Sequence, residues 1–417
     1  MGMYLCVDLK SFYASVECVE RGLDPMKTNL AVADPSRGKG AICLAISPAL
    51  KALGVKNRCR LFAIPDNIEY ITAMPRMKKY MEYSQMIYKV YLRYFSKDDI
   101  YIYSIDECFI DIESYMTLYS KNHIEIAKMV IADVLKSTGI TATCGIGTNL
   151  FLAKVALDIE AKKAKDFIGY LDEEKFKRTI WFHTPITDIW NIGPGIASRL
   201  EKYNAYSLYA VSNLDEKILY DEFGVNAEYL IDHANGVEKC TLKEIKEYVP
   251  ENNSLSNSQI LFEDYEYEDA YLVFREMIEM NVLNLVAKGL VTSNIFLSVG
   301  YSKDCIRPTG GSMKLGEFTN SYRKLSEYFK RLFEKTTDKN HLIRRLSIGF
   351  GNVVDEKNKT VDLFTDEELE KKEHNLQQSI IKIKNKHGKN SVIKAMNIEK
   401  NATQIKRNKL VGGHNAE

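Results

Sequence analysis

Two short apolar segments, residues 100–103 and 108–112, flank the four residues Ser104-Ile105-Asp106-Glu107. The alternation of side chains in each segment predicts two strands joined in a hairpin. Asp106 and Glu107 then lie together at its tip, where adjacent carboxylates repel each other unless a cation is close. A solvated turn is one interpretation, because Asp is common in turns. The apolar flanks favour the other, a divalent cation held by carboxylate oxygens.

A second predicted strand also ends in a carboxylate. Residues 3–7 are apolar and lead directly to Asp8. Apolar side chains then recur at helical spacing over residues 12–19, so a helix follows at once. The carboxyl end of a strand that precedes a helix is a favoured place for a functional site. Taken alone, however, these residues are explained more simply if Asp8 or Ser11 caps the helix.

Length and composition exclude several classes of protein. A chain of 417 residues is too long for one ordinary core, so we expect several modules. The 57 Lys+Arg and 56 Asp+Glu give a net charge of +1, which argues against a chain that is basic throughout. No apolar run approaches the ~20 residues that span a bilayer. We therefore expect a cytoplasmic protein with no membrane partner.

The cysteines and histidines do not form a metal-binding pattern. None of the eight cysteines belongs to a CxxC pair, and the seven histidines are scattered. This spacing argues against a zinc site or a disulfide framework. We expect reduced and mostly buried thiols.

The middle of the chain combines α/β elements with a glycine-rich turn. Residues 124–136 predict a helix and residues 141–146 a strand, and a lysine-bearing helix follows to close a first domain near residue 170. Further on, Gly193-Pro194-Gly195 joins two short helical patterns. Such a turn exposes backbone N–H groups that suit a phosphodiester backbone, although any helix–helix turn can use glycine.

The last third of the chain predicts a small sheet and a basic tail. Residues 254–350 read as strand, helix, strand, strand, helix, strand, a βαββαβ order. Residues 371–417 hold eleven Lys+Arg against three Asp+Glu. Their pattern is only partly helical, and we expect this tail to be mobile.

Taken together, these residues resemble the Y-family translesion DNA polymerases, on the UmuC-like branch common in Gram-positive bacteria. Four motifs carry the resemblance: the segment from Asp8 to Glu17, the tetrad Ser104-Ile105-Asp106-Glu107, the segment Lys51-Ala-Leu-Gly-Val, and the turn from Cys144 to Lys154. Their order and spacing match over residues 1 to about 240, and the βαββαβ module is similar to the family's little finger. The two acidic motifs are specific only in combination.

The resemblance implies an α/β (α+β) multidomain fold, a right-hand polymerase with palm, small fingers, helical thumb and βαββαβ little finger. The expected domains are the palm, 1–30 and 76–170; the fingers, 31–75; the thumb with a helix-hairpin-helix, 171–245; the little finger, 252–352; and a basic tail with a clamp-binding-like motif, 353–417.

The resemblance also implies the catalytic residues. Asp8, Asp106 and Glu107, with the backbone carbonyl of Leu9, would hold two Mg²⁺ ions, for which Mn²⁺ is a substitute. Nucleotidyl transfer of this kind needs positioning and charge neutralisation rather than a protein nucleophile. With this resemblance, the functional interpretation of Asp8 replaces helix capping.

Further residues correspond to substrate contacts of the family. Tyr13 occupies the position of the steric gate, which excludes a 2′-hydroxyl, and Phe12 would pack below the nucleotide. The remaining nucleotide contacts would be Ser47, Lys51 and Lys162, with Lys163 as an alternative to Lys162. The contacts with duplex backbone would be Ile192, Gly193 and Gly195.

Expected partners are primer–template DNA, dNTPs and the bacterial sliding clamp. Thr360-Val361-Asp362-Leu363-Phe364 resembles the clamp-binding pentapeptide Gln-Leu-x-Leu-Phe, and Leu363 and Phe364 would fill the clamp's apolar pocket. SOS accessory proteins are further candidate partners, and the chain is expected to be a monomer of low fidelity that acts in DNA damage tolerance.

Two other functional classes remain open at this point. A catalytically silent polymerase-fold protein could bind DNA and recruit repair partners, but it would be free to lose any one of the three acids. A nucleotide cyclase could also carry an acidic hairpin on a palm-like sheet. The Gly-Pro-Gly turn and the βαββαβ module disfavour that alternative.

Overall fold

The computed structural model describes residues 2–250, 253–302, 306–360 and 366–417. Two compact units make up the chain: Met1–Tyr248 together with Asn415–Glu417, and Val249–His414. The predicted clamp-binding residues Leu363 and Phe364 lie outside the described residues. Within the described ranges, no helix has the length and apolar character needed to cross a membrane.

The first unit contains two sheets and twelve of the helices assigned to the described residues. Its strands are β1 (Tyr4–Leu9), β2 (Leu30–Val32), β3 (Ala45–Ile46), β4 (Ile71–Ala73), β5 (Ile100–Ile102), β6 (Glu107–Asp111), β7 (Ala142–Gly147) and β8 (Ile168–Leu171). Its helices are α1 (Phe12–Val19), α2 (Pro48–Ala52), α3 (Met77–Tyr91), α4 (Glu113–Tyr119), α5 (His123–Thr138), α6 (Leu150–Val155), α7 (Glu173–Thr179), α8 (Pro194–Glu201), α9 (Leu208–Ser212), α10 (Glu216–Phe223), α11 (Ala227–Ala234) and α12 (Leu242–Glu247).

The larger sheet has the strand order β5-β6-β1-β7-β8 and places β1 at its centre. β1 pairs antiparallel with both β6 and β7, and β7 pairs parallel with β8. α6 lies directly against β7, since a Cβ added at Gly147 would come within 2.1 Å of the backbone nitrogen of Ala153. Glycine is required at this close approach, and α6 is thereby held beside β1.

The smaller sheet and the following helices surround separate cores. The smaller sheet has the order β3-β2-β4 and packs with α2 around Ala31, Ile46 and Leu50. The helices from α7 to α11 share a core with α6 that includes Phe151 and Phe176. The first of the two helical patterns predicted around Gly193 is only a three-residue 3₁₀ turn, Ile186–Asp188, and the second is α8.

The second unit confirms the predicted βαββαβ order. Its elements are β9 (Leu255–Tyr265), α13 (Tyr267–Ala287), β10 (Leu290–Tyr301), β11 (Thr309–Thr319), α14 (Tyr322–Thr336) and β12 (Ile343–Asp355). The sheet order is β11-β10-β12-β9, and every pairing is antiparallel. Apolar side chains of α13 and α14, among them Phe274 and Phe329, pack with the inward-facing side chains of the strands.

The basic tail differs from the expectation of a partly helical, mobile segment. It forms α15 (Glu367–His387), α16 (Gln404–Arg407), and the short strands β13 (Leu410–Val411) and β14 (His414–Asn415). The carboxylate of Glu276 on α13 is 1% exposed and accepts hydrogen bonds from the Asn397 side chain and from the backbone N–H groups of Thr403 and Gln404. A buried carboxylate needs such partners, so the tail is fastened to the second unit.

Candidate active site

Asp8 and Glu107 lie directly opposite each other on neighbouring strands. The antiparallel register of β1 and β6 pairs Asp8 with Glu107, which places their Cα atoms about 5 Å apart. Asp106 immediately precedes β6, and its carbonyl accepts a hydrogen bond of 2.9 Å from the backbone N–H of Leu9. The residues predicted from the two acidic motifs therefore lie at the same end of the larger sheet.

The hairpin is tighter than the sequence predicts. Glu107 is the first residue of β6 rather than part of the turn, and its carbonyl accepts hydrogen bonds of 3.0 Å from the backbone N–H groups of Tyr103 and Ser104. Within the turn, the Ser104 hydroxyl donates to Asp106 Oδ1 at 2.7 Å. Of the two acidic residues, therefore, only Asp106 belongs to the turn.

The helix-capping interpretation of Asp8 and Ser11 is wrong. Ser11 is the residue before α1, but it has a left-handed φ of 50° and makes no side-chain capping bond. Its hydroxyl is buried without a hydrogen-bond partner among the described residues. Burial raises the pKa of Asp8 to about 6, with Asp106 and Glu107 adding to the rise and Lys162 opposing it. A shared cation would relieve this cost of holding charge on Asp8.

Two lysines at helical spacing neutralise the acids. Lys154 Nζ lies 2.8 Å from Glu107 Oε1 and 3.1 Å from Asp158 Oδ2. Lys162 Nζ lies 2.7 Å from Asp158 Oδ1 and 3.9 Å from Asp8 Oδ2. Burial disfavours the charge on Lys154, but the nearby acids outweigh it and raise its pKa.

Sequence reasoning did not assign Lys154 and Asp158 to the site. The available signal was their spacing, because Lys154, Asp158 and Lys162 follow one another at intervals of four residues. The competing Lys163 is exposed and has no carboxylate at ion-pair distance within the described ranges. The geometry therefore favours Lys162 over Lys163.

The carboxylate oxygens are suitable ligands for a hard cation such as Mg²⁺. In their present orientation, however, they do not surround a metal-binding position. In the described part of the chain, no three Asp, Glu, His or Cys side chains are grouped closely enough to hold a metal ion. Glu107 Oε1 instead accepts from Lys154 and, at 3.2 Å, from the Cys6 thiol. Oxygen donors of this kind are the ligands that Mg²⁺ prefers. Metal binding would require Glu107 to exchange its ammonium partner for the ion.

Tyr13 packs against Tyr80, which belongs to a buried polar cluster with Glu17 and Arg76. Its ring stacks on that of Tyr80, with centroids 4.4 Å apart and planes 14° apart. The Tyr80 hydroxyl donates to Glu17 Oε1 at 2.8 Å, and Arg76 donates to both oxygens of the same fully buried carboxylate. Phe12, at 3% exposure, packs within the core beside it. The orientation of the Tyr13 ring is therefore fixed.

The two predicted residues of the smaller sheet region differ in accessibility. Lys51 is exposed. Desolvation lowers its pKa, Asp8 opposes the change, and the positive charges of Lys162 and Lys10 lower it further, so these groups share one electrostatic environment. Ser47 is fully buried, and its hydroxyl accepts from the backbone N–H groups of Leu50 and Leu30. Ser47 therefore caps α2, and its side chain is not available for the predicted nucleotide contact.

The residues predicted to contact duplex DNA also differ in accessibility. Gly193 and Gly195 are exposed at the start of α8, and a Cβ at either position would meet nothing within 4 Å. Ile192 is only 4% exposed and packs in the core below them. The backbone around the two glycines is thus open, whereas the Ile192 side chain anchors the turn.

Comparison with known proteins matches both units. Residues 7–158 match the model of the impB/mucB/samB family, and residues 252–363 match its C-terminal domain. The chain is 31% identical to a Bacillus subtilis protein named for UV-damage repair, UvrX, over 98% of this chain and 97% of that one. The chain belongs to this family. It is a Y-family polymerase of the UmuC-like branch.

Other relatives agree with this assignment. This Y-family chain is 28% identical to DNA polymerase IV 2 of Bacillus subtilis, over 98% of this chain and 97% of the relative. Among solved structures, the Y-family DNA polymerase chimera of Dbh and Dpo4 superposes with a TM-score of 0.65 at 20% identity. That comparison covers 85% of this chain and 99% of the chimera, and it supports the fold.

Lys154→Met tests whether the buried ammonium offsets the repulsion of the acids. The change leaves Glu107 and Asp158 without their shared cation, and we expect it to lower the free energy of unfolding by about 3 kcal/mol. The exposed Lys163→Met is the matched control, with an expected change below about 0.5 kcal/mol. Urea denaturation of both variants measures the difference. Equal stability of the two would contradict the account.

Proposed function

We propose that this chain is a template-directed DNA polymerase of the translesion type, which adds dNTPs to a primer 3′ end opposite damaged template. The observation that carries the proposal is the register that sets Asp8 opposite Glu107, with Asp106 beside them. Membership of the repair-polymerase family gives this carboxylate set its functional context. A silent DNA-binding partner would not need to keep all three acids.

Asp8, Asp106, Glu107 and the Leu9 carbonyl are the proposed ligands of two Mg²⁺ ions, with Mn²⁺ as a substitute. Such ions activate the primer 3′-oxygen and stabilise the charge of the leaving pyrophosphate. The raised pKa of Asp8, caused by burial and by the neighbouring acids, supports a role in binding a cation. Lys154 holds the Glu107 carboxylate in position when that carboxylate is not bound to a metal ion.

Lys51 and Lys162 are the proposed triphosphate contacts. Their positive charges disfavour each other, which an anionic phosphate between them would relieve. Lys10 contributes to the same positive region and lies with its ammonium 4.2 Å from the centre of the Phe167 ring. Tyr13, whose ring stacks on that of Tyr80, would contact the sugar and exclude a 2′-hydroxyl.

The DNA contacts proposed here read no sequence. The open backbone at Gly193 and Gly195 suits a phosphodiester. In the second unit, Lys314 and Arg345 are exposed on strands whose neighbouring side chains, Leu315 and Leu346, are buried under the helices. These two cations therefore extend from the uncovered face of the sheet and could meet phosphates there.

The proposed clamp contact remains a prediction at Leu363 and Phe364. The residues on both sides of that segment are held by the second unit. Thr360 exchanges hydrogen bonds with the backbone of Phe318, donating through its N–H and accepting through its hydroxyl. Asp366 caps the start of α15 by accepting from the N–H of Leu369.

Asp106→Asn tests the polymerase proposal in a primer-extension assay on undamaged and lesion-bearing templates. Loss of one charged oxygen from the cluster should reduce the extension rate by at least about 100-fold. Asp98→Asn is the control, because Asp98 is exposed in the turn just before the same hairpin. It should extend primers at the wild-type rate.

Two outcomes would contradict the proposal. If the wild-type chain binds primer–template DNA but extends no primer with Mg²⁺ or Mn²⁺, the silent-partner alternative is correct. If Asp106→Asn is as active as Asp98→Asn, the acids at the hairpin are not the catalytic centre.

Tyr13→Ala tests the assignment of the steric gate. Removal of the ring should lower the preference for dNTP over rNTP, measured as the ratio of kcat/KM values, by at least about tenfold. Tyr13→Phe keeps the ring and its stacking on Tyr80, so it should retain the wild-type preference. Unchanged sugar discrimination in Tyr13→Ala would show that the gate lies elsewhere.

A further inference from the structure

The tail helix α15 carries an apolar stripe that the described part of the chain leaves partly exposed. Leu369, Leu376 and Ile383 are 43%, 61% and 42% exposed. They are spaced seven residues apart, so they lie along one side of the helix. Large aliphatic side chains repeated in this way are typical of a helix that pairs with another helix.

α15 is docked on the second unit through a different side. Glu370 accepts from Lys324 and Lys359, both at 2.8 Å. Glu373 accepts from the Ser321 hydroxyl at 2.7 Å, and Ile381 packs against the apolar core. Since these contacts already hold the helix in place, the apolar stripe is not needed for docking.

The stripe and the charges of α15 are both arranged for an antiparallel copy of the same helix. The stripe is symmetric about Leu376, with one apolar residue seven positions before it and one seven positions after. The exposed charges of the first turn are the acids Glu367 and Glu368, whereas the last turn is basic, with Lys384, Lys386 and His387. An antiparallel pair would set opposite charges and opposite helix dipoles side by side.

We propose that α15 is a self-association surface through which two copies of this chain pair antiparallel. Leu376 would meet the partner's Leu376 at the two-fold axis, and Leu369 would pack against the partner's Ile383. Glu368, which pairs with Lys372 of its own chain at 2.7 Å, would also face the partner's Lys386. Lys386 has no carboxylate at ion-pair distance among the described residues of its own chain. Such a contact is isologous, so it closes at two copies.

The contact is small, and the association is therefore weak. A helix of 21 residues is about 32 Å long and offers three apolar side chains per copy. Interfaces of this size form weak or transient complexes. The proposal is independent of the polymerase function, and it differs from the sequence-based expectation of a monomer.

Sedimentation equilibrium of the full chain tests the proposal. The wild type should show a monomer–dimer equilibrium, and Leu376→Glu should raise its dissociation constant at least tenfold. Asn385→Glu adds the same charge half a turn away from the stripe and should dimerise like the wild type. A wild type that stays monomeric at the highest soluble concentration would overturn the proposal. So would a dimer that survives Leu376→Glu, or one that both variants disrupt equally.

Disulfide cross-linking tests the antiparallel orientation. Leu369→Cys and Ile383→Cys are made in a Cys240→Ser background, since Cys240 is an exposed free cysteine. Mild oxidation should cross-link a mixture of the two variants much faster than either variant alone. Faster cross-linking of Leu369→Cys with itself would show a parallel pair and overturn the proposed geometry.

Discussion

Carboxylates crowded onto adjacent strands are the constraint on which the first unit depends. The register of β1 and β6 sets Asp8 beside Glu107, and the turn adds Asp106. Without cations, this arrangement would be destabilising because the acids repel one another and burial disfavours the charge on Asp8. α6 supplies the first cation, Lys154, and Gly147 allows that helix to lie close enough to the sheet for the contact to form. The charges that affect the stability of the first unit are therefore also those of the proposed catalytic site.

The pairing of Lys154 with Glu107 also connects the free protein to the proposed catalytic one. Under the proposed function, the Lys154 ammonium group and a metal ion would bind the Glu107 carboxylate in turn. Asp158 lies within reach of both Lys154 and Lys162, so it can retain a lysine that loses another partner. The acids can thus remain compensated before and after the substrate with its ions binds. Such continuity of charge is a physical reason for the spacing of Lys154, Asp158 and Lys162.

Local patterns in the sequence predict the elements well, because each depends on side chains close together in the chain. Alternating residues indicated the hairpin at Asp106 and the strands of the βαββαβ module, and helical spacing indicated α13 and α14. Contacts between distant residues could not be predicted in this way. Nothing near Glu276 in the sequence shows that it holds Thr403, which lies 127 positions away. Ser47 was misassigned for the same reason, since its partner Leu30 lies 17 positions earlier, in β2.

Counting bound Mn²⁺ by electron paramagnetic resonance is the most direct test of the carboxylate cluster as the catalytic centre. The measurement uses the full chain with primer–template DNA and a non-hydrolysable dNTP analogue. The account predicts two ions per chain in the wild type, and the loss of at least one in Asp8→Asn, because Asp8 lies opposite Glu107. Equal Mn²⁺ binding by the wild type and Asp8→Asn would contradict it.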